Sequence, residues 1–204
     1  MRLNAGKFIL ITACSAWVLT ISLGLSLLWG YENASGQAAA PPAQWPVDSG
    51  ISLANDRATL IILIHPHCPC SRASIGELAR LMAQAQGRVA AHALFVKPEG
   101  SSDDWEKTDL FESAADIPGV DVVVDDGAEA RRFNAATSGQ AALYDAEGSL
   151  LFSGGITASR GHSGDNDGRS AIVSLLNTGA AARSETSVFG CPLFDTSSDC
   201  GVTR

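Results

Sequence analysis

Four residues able to do chemistry lie within six positions of one another: His65, His67, Cys68 and Cys70, in the run His65-Pro66-His67-Cys68-Pro69-Cys70-Ser71-Arg72. Two thiols flanking one proline can close a disulfide, because a folded i,i+2 pair falls within the Cα separation of about 4.4–6.8 Å that a bridge needs. The resulting ring is small and strained, and strain makes a disulfide easier to reduce. Thiolate and imidazole together also suit copper or zinc, so His65, His67, Cys68 and Cys70 form an alternative set of metal ligands, with His162 as a distant fifth. The spacing is too tight for an ordinary zinc ribbon. Ser71 leaves a third reading, Cys-x-x-Ser, in which Cys70 is a bystander.

The elements around the motif decide how reactive it is. Thr59–His65 is a continuous apolar, β-branched run, the pattern of a strand buried on both faces. Cys70–Gln86 carries Ile75, Leu78, Ala79 and Met82 at helical spacing and ends at Gly87, a C-capping residue. Cys68 and Cys70 are therefore predicted where a strand ends and a helix begins. Unsatisfied N–H groups and the positive end of the helix dipole stabilise a thiolate there. Pro69 presets the turn, and His67 and Arg72 are placed to add positive charge.

Further elements follow in order: a strand at Val89–Val96, a modest helix at Glu106–Ala115, a strand at Val120–Val124 and a short helix at Asp126–Phe133. A hairpin at Ala141–Asp145 and Ser149–Gly154 precedes a last helix at about Asp167–Asn177. The order β-α-β-α-β-α-β-β-α implies a mixed α/β sheet flanked by helices. The loop Gly154–Arg169 is polar and glycine-rich. Arg160, His162, Asp165 and Asn166 are its candidate recognition residues, with Arg169 beside them. The plainer reading is that Asp165 or Asp167 caps the last helix. Asp165-Asn166-Asp167-Gly168 also suggests a calcium loop, but the bidentate Glu of that pattern is missing, with Ser174 in its place.

The segment from Thr59 to Asn177 resembles a thioredoxin-like domain, a fold of this element order with a cysteine motif at the first strand–helix junction. The octapeptide at 65–72, the turn Leu143-Tyr144-Asp145, and Gly154-Gly155-Ile156-Thr157 with Arg160-Gly161-His162 and Gly164-Asp165-Asn166 resemble, more narrowly, RedB-type membrane-anchored bacterial proteins. The resemblance implies thiol–disulfide oxidoreductase activity, with Cys68 the exposed attacking thiol, Cys70 the resolving one and protein thiols or disulfides as partners. No cofactor is implied; the alternative is copper, as in membrane-anchored copper-handling proteins of the same fold, or a redox-inactive interaction domain. The sequence departs from thioredoxin in its one-residue spacer and in Thr137-Ser138-Gly139-Gln140, where that family carries a cis-proline.

Compartment follows from charge and hydropathy. Phe8–Trp29 is a run of 22 residues without a charge, long enough as a helix to cross roughly 30 Å of hydrocarbon. The rival is a cleaved signal peptide, with Ala38-Ala39-Ala40 as a distant cleavage site. Arg2 and Lys7 precede the run and all 22 acidic residues follow it. The positive-inside rule then keeps the N-terminus cytoplasmic and sends the rest to the extracytoplasmic, periplasmic side. The expected organisation is a cytoplasmic N-terminus (1–7), a signal-anchor helix (8–30), a flexible linker (31–50), the thioredoxin-like domain (51–178) and a tail (179–204). Cys191 and Cys200 in that tail form a second candidate disulfide, structural or shuttling, in an oxidising compartment. Residues 31–204 hold 12 basic and 22 acidic groups, a balance of −10, which repels phosphate backbones and argues against nucleic-acid binding.

Overall fold

The computed structural model describes residues 5–37 and 39–194, in two units divided after Ala34. In the first, α1 (Ala5–Glu32) is a single apolar helix with a mean hydropathy of 2.1 over its most apolar window. By length and composition it can cross a membrane. Its Thr12 and Thr20 hydroxyls each donate to the carbonyl four residues back, at 2.9 Å, which satisfies polar groups that lipid would leave without partners.

The second unit is built on a five-stranded mixed sheet: β1 (Ala58–Ile64), β2 (Val89–Val96), β3 (Val120–Asp125), β4 (Gln140–Tyr144) and β5 (Leu150–Gly155), in spatial order β3-β2-β1-β4-β5. β1, β2 and β3 run parallel, whereas β4 is antiparallel to β1 and to β5. The central strand β1 is apolar on both faces, as its sequence requires. Leu60, Ile62 and Ile64 point to one side with Leu78 and Leu81 of α2 (Ser71–Ala85), Leu110 of α3 (Asp109–Ala115) and Ile172 of α5 (Asp167–Thr178). Ile61 and Leu63 point to the other, against Ala130 of α4 (Ala128–Arg132), Phe133, Tyr144 and Leu193. Full burial of each such side chain contributes about 1.5–3 kcal/mol.

Local caps set the helix starts. Thr108 Oγ1 accepts from the Phe111 N–H, so α3 begins at Asp109, three residues later than its sequence pattern suggests. The Asp125 carboxylate accepts from the N–H groups of Glu129 and Ala130 at 2.9 Å each, placing a negative charge at the start of α4. The cap of α5 is Asn166, not either of its aspartate neighbours: its Oδ1 accepts from the Arg169 N–H at 2.7 Å.

Part of the stretch expected as linker is fastened to the domain. Trp45 packs edge-on against Phe133 and Tyr144, at ring separations of 5.0 and 5.2 Å. The Trp45 N–H donates to Gly148 O at 2.7 Å, and the Leu150 N–H donates to Ala43 O at 3.0 Å. Tyr144 Oη donates to Pro42 O, and Gln140 Nε2 to Ala39 O. Burial pushes the Tyr144 phenol up to about 12.

The tail is also fastened. Ser184–Thr186 lies beside the edge strand β5, with the Ser153 N–H donating to Ser184 O at 2.9 Å and the Thr186 N–H to Ser153 O at 3.2 Å. It covers an edge that would otherwise offer unpaired backbone groups.

Candidate active site

The motif sits where β1 gives way to α2. The Cys68 N–H donates to His65 O at 3.1 Å and the Ser71 N–H to Cys68 O at 3.0 Å, two successive turns that carry the chain into the helix. Cys70 occupies the N-cap position and its carbonyl accepts from the Ala73 N–H. The expected strand–turn–helix placement of both thiols is what the structure contains.

Both thiols are buried, Cys68 fully and Cys70 with 7% of its surface exposed. The sequence-based expectation made Cys68 the more exposed of the two. The difference has a physical origin in the tail: Cys191, itself 2% exposed, joins Cys68 and Cys70 in one buried cluster. Cys200 lies outside the described residues, so a Cys191–Cys200 pair is not described.

The two motif cysteines are electrostatically coupled. A hydrogen bond with Cys68, followed by burial and by the charge of Cys68, pushes the Cys70 thiol far up; Arg160 opposes this by its charge and by a hydrogen bond of its own. The Cys70 thiol thus faces Cys68 on one side and the Arg160 guanidinium on the other.

The positive charge beside the thiols is not where the sequence suggested. Arg72 turns outward to pair with Asp109 at the start of α3, holding that carboxyl below the usual range. Arg160, from the loop after β5, takes its place at Cys70, and its Nη1 also donates to Gly190 O at 2.9 Å. His162 lies exposed on the same turn, its N–H donating to Ser159 O at 3.3 Å. Asp165 and Asn166 belong to a clamp. The fully buried Glu77 of α2 binds Arg169 and Arg80, accepts from the Gly164 N–H at 2.9 Å and from Asn166 Nδ2 at 3.2 Å, while Asp165 pairs with Arg169. The clamp fixes the loop that delivers Arg160.

The two histidines contact each other and Trp105. His65 Nδ1 accepts from the His67 N–H at 3.1 Å, and His67 Nε2 lies 3.0 Å from Trp105 O, with the Trp105 ring 4.2 Å from the His67 ring. Among the described residues no group of three or more His, Cys, Asp or Glu side chains is arranged to hold a metal ion. His65, His67, Cys68 and Cys70 share the turn that joins β1 to α2. Pro69, between the thiols, is exposed at the surface of that turn.

Trp105, Ser138 and Glu77 support this site and carry no motif of their own in the sequence. A buried glutamate at a helical core position, flanked by arginines in sequence and in the glycine-rich loop, was the available signal for the clamp.

No family model matches the chain, and no curated protein matches it in sequence. Among solved structures it is similar to an uncharacterized conserved protein from Geobacillus kaustophilus, at 20% identity and a TM-score of 0.58 over 78% of this chain and 91% of that one. It is also similar to a hypothetical protein, SMc02350, from Sinorhizobium meliloti 1021, at 19% identity and a TM-score of 0.56 over 80% and 93% of the two chains. The exposed lipoprotein thioredoxin Etrx1 from Streptococcus pneumoniae aligns at 16% identity with a TM-score of 0.43, over 68% and 98%. The fold is thioredoxin-like: a mixed five-stranded sheet between helical layers, with the cysteine pair at the β1–α2 junction.

Proposed function

We propose that this chain is a membrane-anchored, extracytoplasmic thiol–disulfide oxidoreductase acting through Cys68-Pro69-Cys70, related to the RedB-type proteins its motifs resemble. The observation that carries the reading is the buried Cys68–Cys70 pair at the β1–α2 junction, the two thiols in hydrogen-bond contact and Arg160 supplying positive charge at Cys70. In the forward direction the Cys68 thiolate attacks one sulfur of a partner disulfide. The partner's other sulfur leaves as a thiol and a mixed disulfide remains. Cys70, giving up its proton, then attacks Cys68, releasing the second partner thiol and closing Cys68–Cys70. Two partner thiols appear for each pair consumed, so electrons balance, and the reverse sequence oxidises a partner. Helix α1 anchors the domain, its basic N-terminal flank on the cytoplasmic side.

The test is exchange with a model disulfide by the full-length protein in detergent, with bound metal assayed on the same sample. Wild type is expected to turn over, Cys68→Ser to lose activity, and Cys70→Ser to accumulate mixed disulfide. Activity that survives Cys68→Ser overturns the reading, as does stoichiometric copper protecting the thiols from alkylation.

A further inference from the structure

The segment Phe189–Leu193 makes a second set of contacts at the site that the exchange mechanism does not use. The Ser138 N–H donates to Cys191 O at 2.8 Å and the Leu193 N–H to Ala136 O at 2.9 Å, with Thr137 and Pro192 paired antiparallel between them. The tail is docked as a short added strand on the loop that enters β4, and the same loop faces the motif, because Ser138 Oγ accepts from the His65 N–H and touches Ser71 Oγ. Arg160 holds the tail from the other side through Gly190 O. Gly190 is pressed so closely on this loop that a Cβ there would stand 2.0 Å from Ser138 O. Cys191 is thereby set among the motif cysteines with little freedom to move.

We propose that Cys191 is a third redox-active cysteine, held by the docked tail so that the oxidised protein interconverts between a Cys68–Cys70 and a Cys68–Cys191 disulfide. The proposal rests on the exchange reading above. In the step itself the Cys191 thiolate attacks Cys68 Sγ, a new Sγ–Sγ bond forms and the Cys68–Cys70 bond breaks. The electron pair leaves on Cys70, which takes up the proton that Cys191 gave up, so no outside oxidant or reductant is needed. The driving force is ring strain: an i,i+2 bridge closes a small ring, whereas Cys191 approaches from a separate segment without that constraint. The docked tail also lies across the buried thiols, so a partner polypeptide must displace it to reach Cys68.

The test maps disulfides in the wild-type full-length chain in detergent after oxidation with oxidised glutathione and quenching in acid. Free thiols are alkylated, and the chain is cut with trypsin and then with a protease cleaving before aspartate, which separates Cys191 from Cys200. The expected product is a peptide ending at Arg72 joined to one beginning at Ser184, with the label on Cys70. Gly190→Ala, which pushes the tail off Ser138, is expected to reduce that product at least several-fold and to speed reaction with an external disulfide. Cys68–Cys70 as the sole disulfide of Cys68, with Cys191 alkylated throughout or linked to Cys200, overturns the proposal and leaves the exchange reading standing. A chain in which Cys68 enters no disulfide overturns both.

Discussion

Ser71 Oγ and Ser138 Oγ lie 2.8 Å apart in the buried interior, joining the first turn of α2 to the loop that enters β4. Ser138 Oγ also accepts from the His65 N–H at 2.8 Å. One hydroxyl therefore ties the cysteine loop at both ends to the surface on which the tail docks. Ser138→Ala leaves a buried N–H without this acceptor, a loss of about 1–3 kcal/mol. Urea unfolding of the full chain in detergent is expected to show the midpoint falling accordingly, and an unchanged midpoint would contradict this role.

Glu77 is the other fixed point. Its carboxylate is fully buried and binds Arg169, whose side chain is 11% exposed. Removing one partner of a buried ion pair leaves the other charge uncompensated, at a cost of about 3–5 kcal/mol. Glu77→Ala is expected to destabilise by about that amount. Exchange by the folded fraction should also slow, because the loop carrying Arg160 loses its clamp. A variant as stable as wild type would show that the clamp is incidental.

The coupling of the motif thiols predicts how Cys70 responds to mutation of its neighbours. The hydrogen bond with Cys68 is the largest cause holding the Cys70 proton. Cys68→Ala should therefore lower the pH at which Cys70 reacts with iodoacetamide, although burial persists and access limits the rate. Arg160→Gln should move the same profile upward. If Cys70 in the Cys68→Ala chain reacts with the wild-type pH profile, the assigned coupling is absent.

His92 on β2 gives a pH dependence with a definite sign. Burial lowers its pKa, opposed in part by Asp121, 3.8 Å away. Below about pH 6.5 the unfolded chain binds this proton more readily than the folded one. The folded state loses stability as pH falls from there toward the depressed value, and His92 adds nothing above it. The thermal midpoint should fall between pH 7 and 5, and His92→Gln should flatten the fall. An equal slope in both proteins would assign the effect elsewhere.

The elements near the motif were legible because each is fixed by local rules. The apolar run at 59–65 can only be an interior strand, and Val89–Val96 occupies the predicted residues without shift. What escaped was long-range. Arg72, in the first turn of the helix after the thiols, looks placed to serve them until Asp109 is seen to claim it, and Arg160 arrives instead from a loop read only as a recognition surface. Ala39–Trp45 reads as loose chain because prolines and alanines carry no periodicity, yet its backbone carbonyls and one tryptophan find partners along β4 and β5. The docking of Cys191 rests on backbone hydrogen bonds and on Gly190, neither of which leaves a pattern in the sequence.

The most direct test of the account is a redox titration of the full-length protein in detergent. Samples are equilibrated in glutathione buffers of graded potential, quenched in acid, alkylated and mapped by mass. The account predicts that two thiols disappear together in one reversible step, with Cys68 in the disulfide of every oxidised molecule. Cys68 fully alkylated at every potential would contradict it.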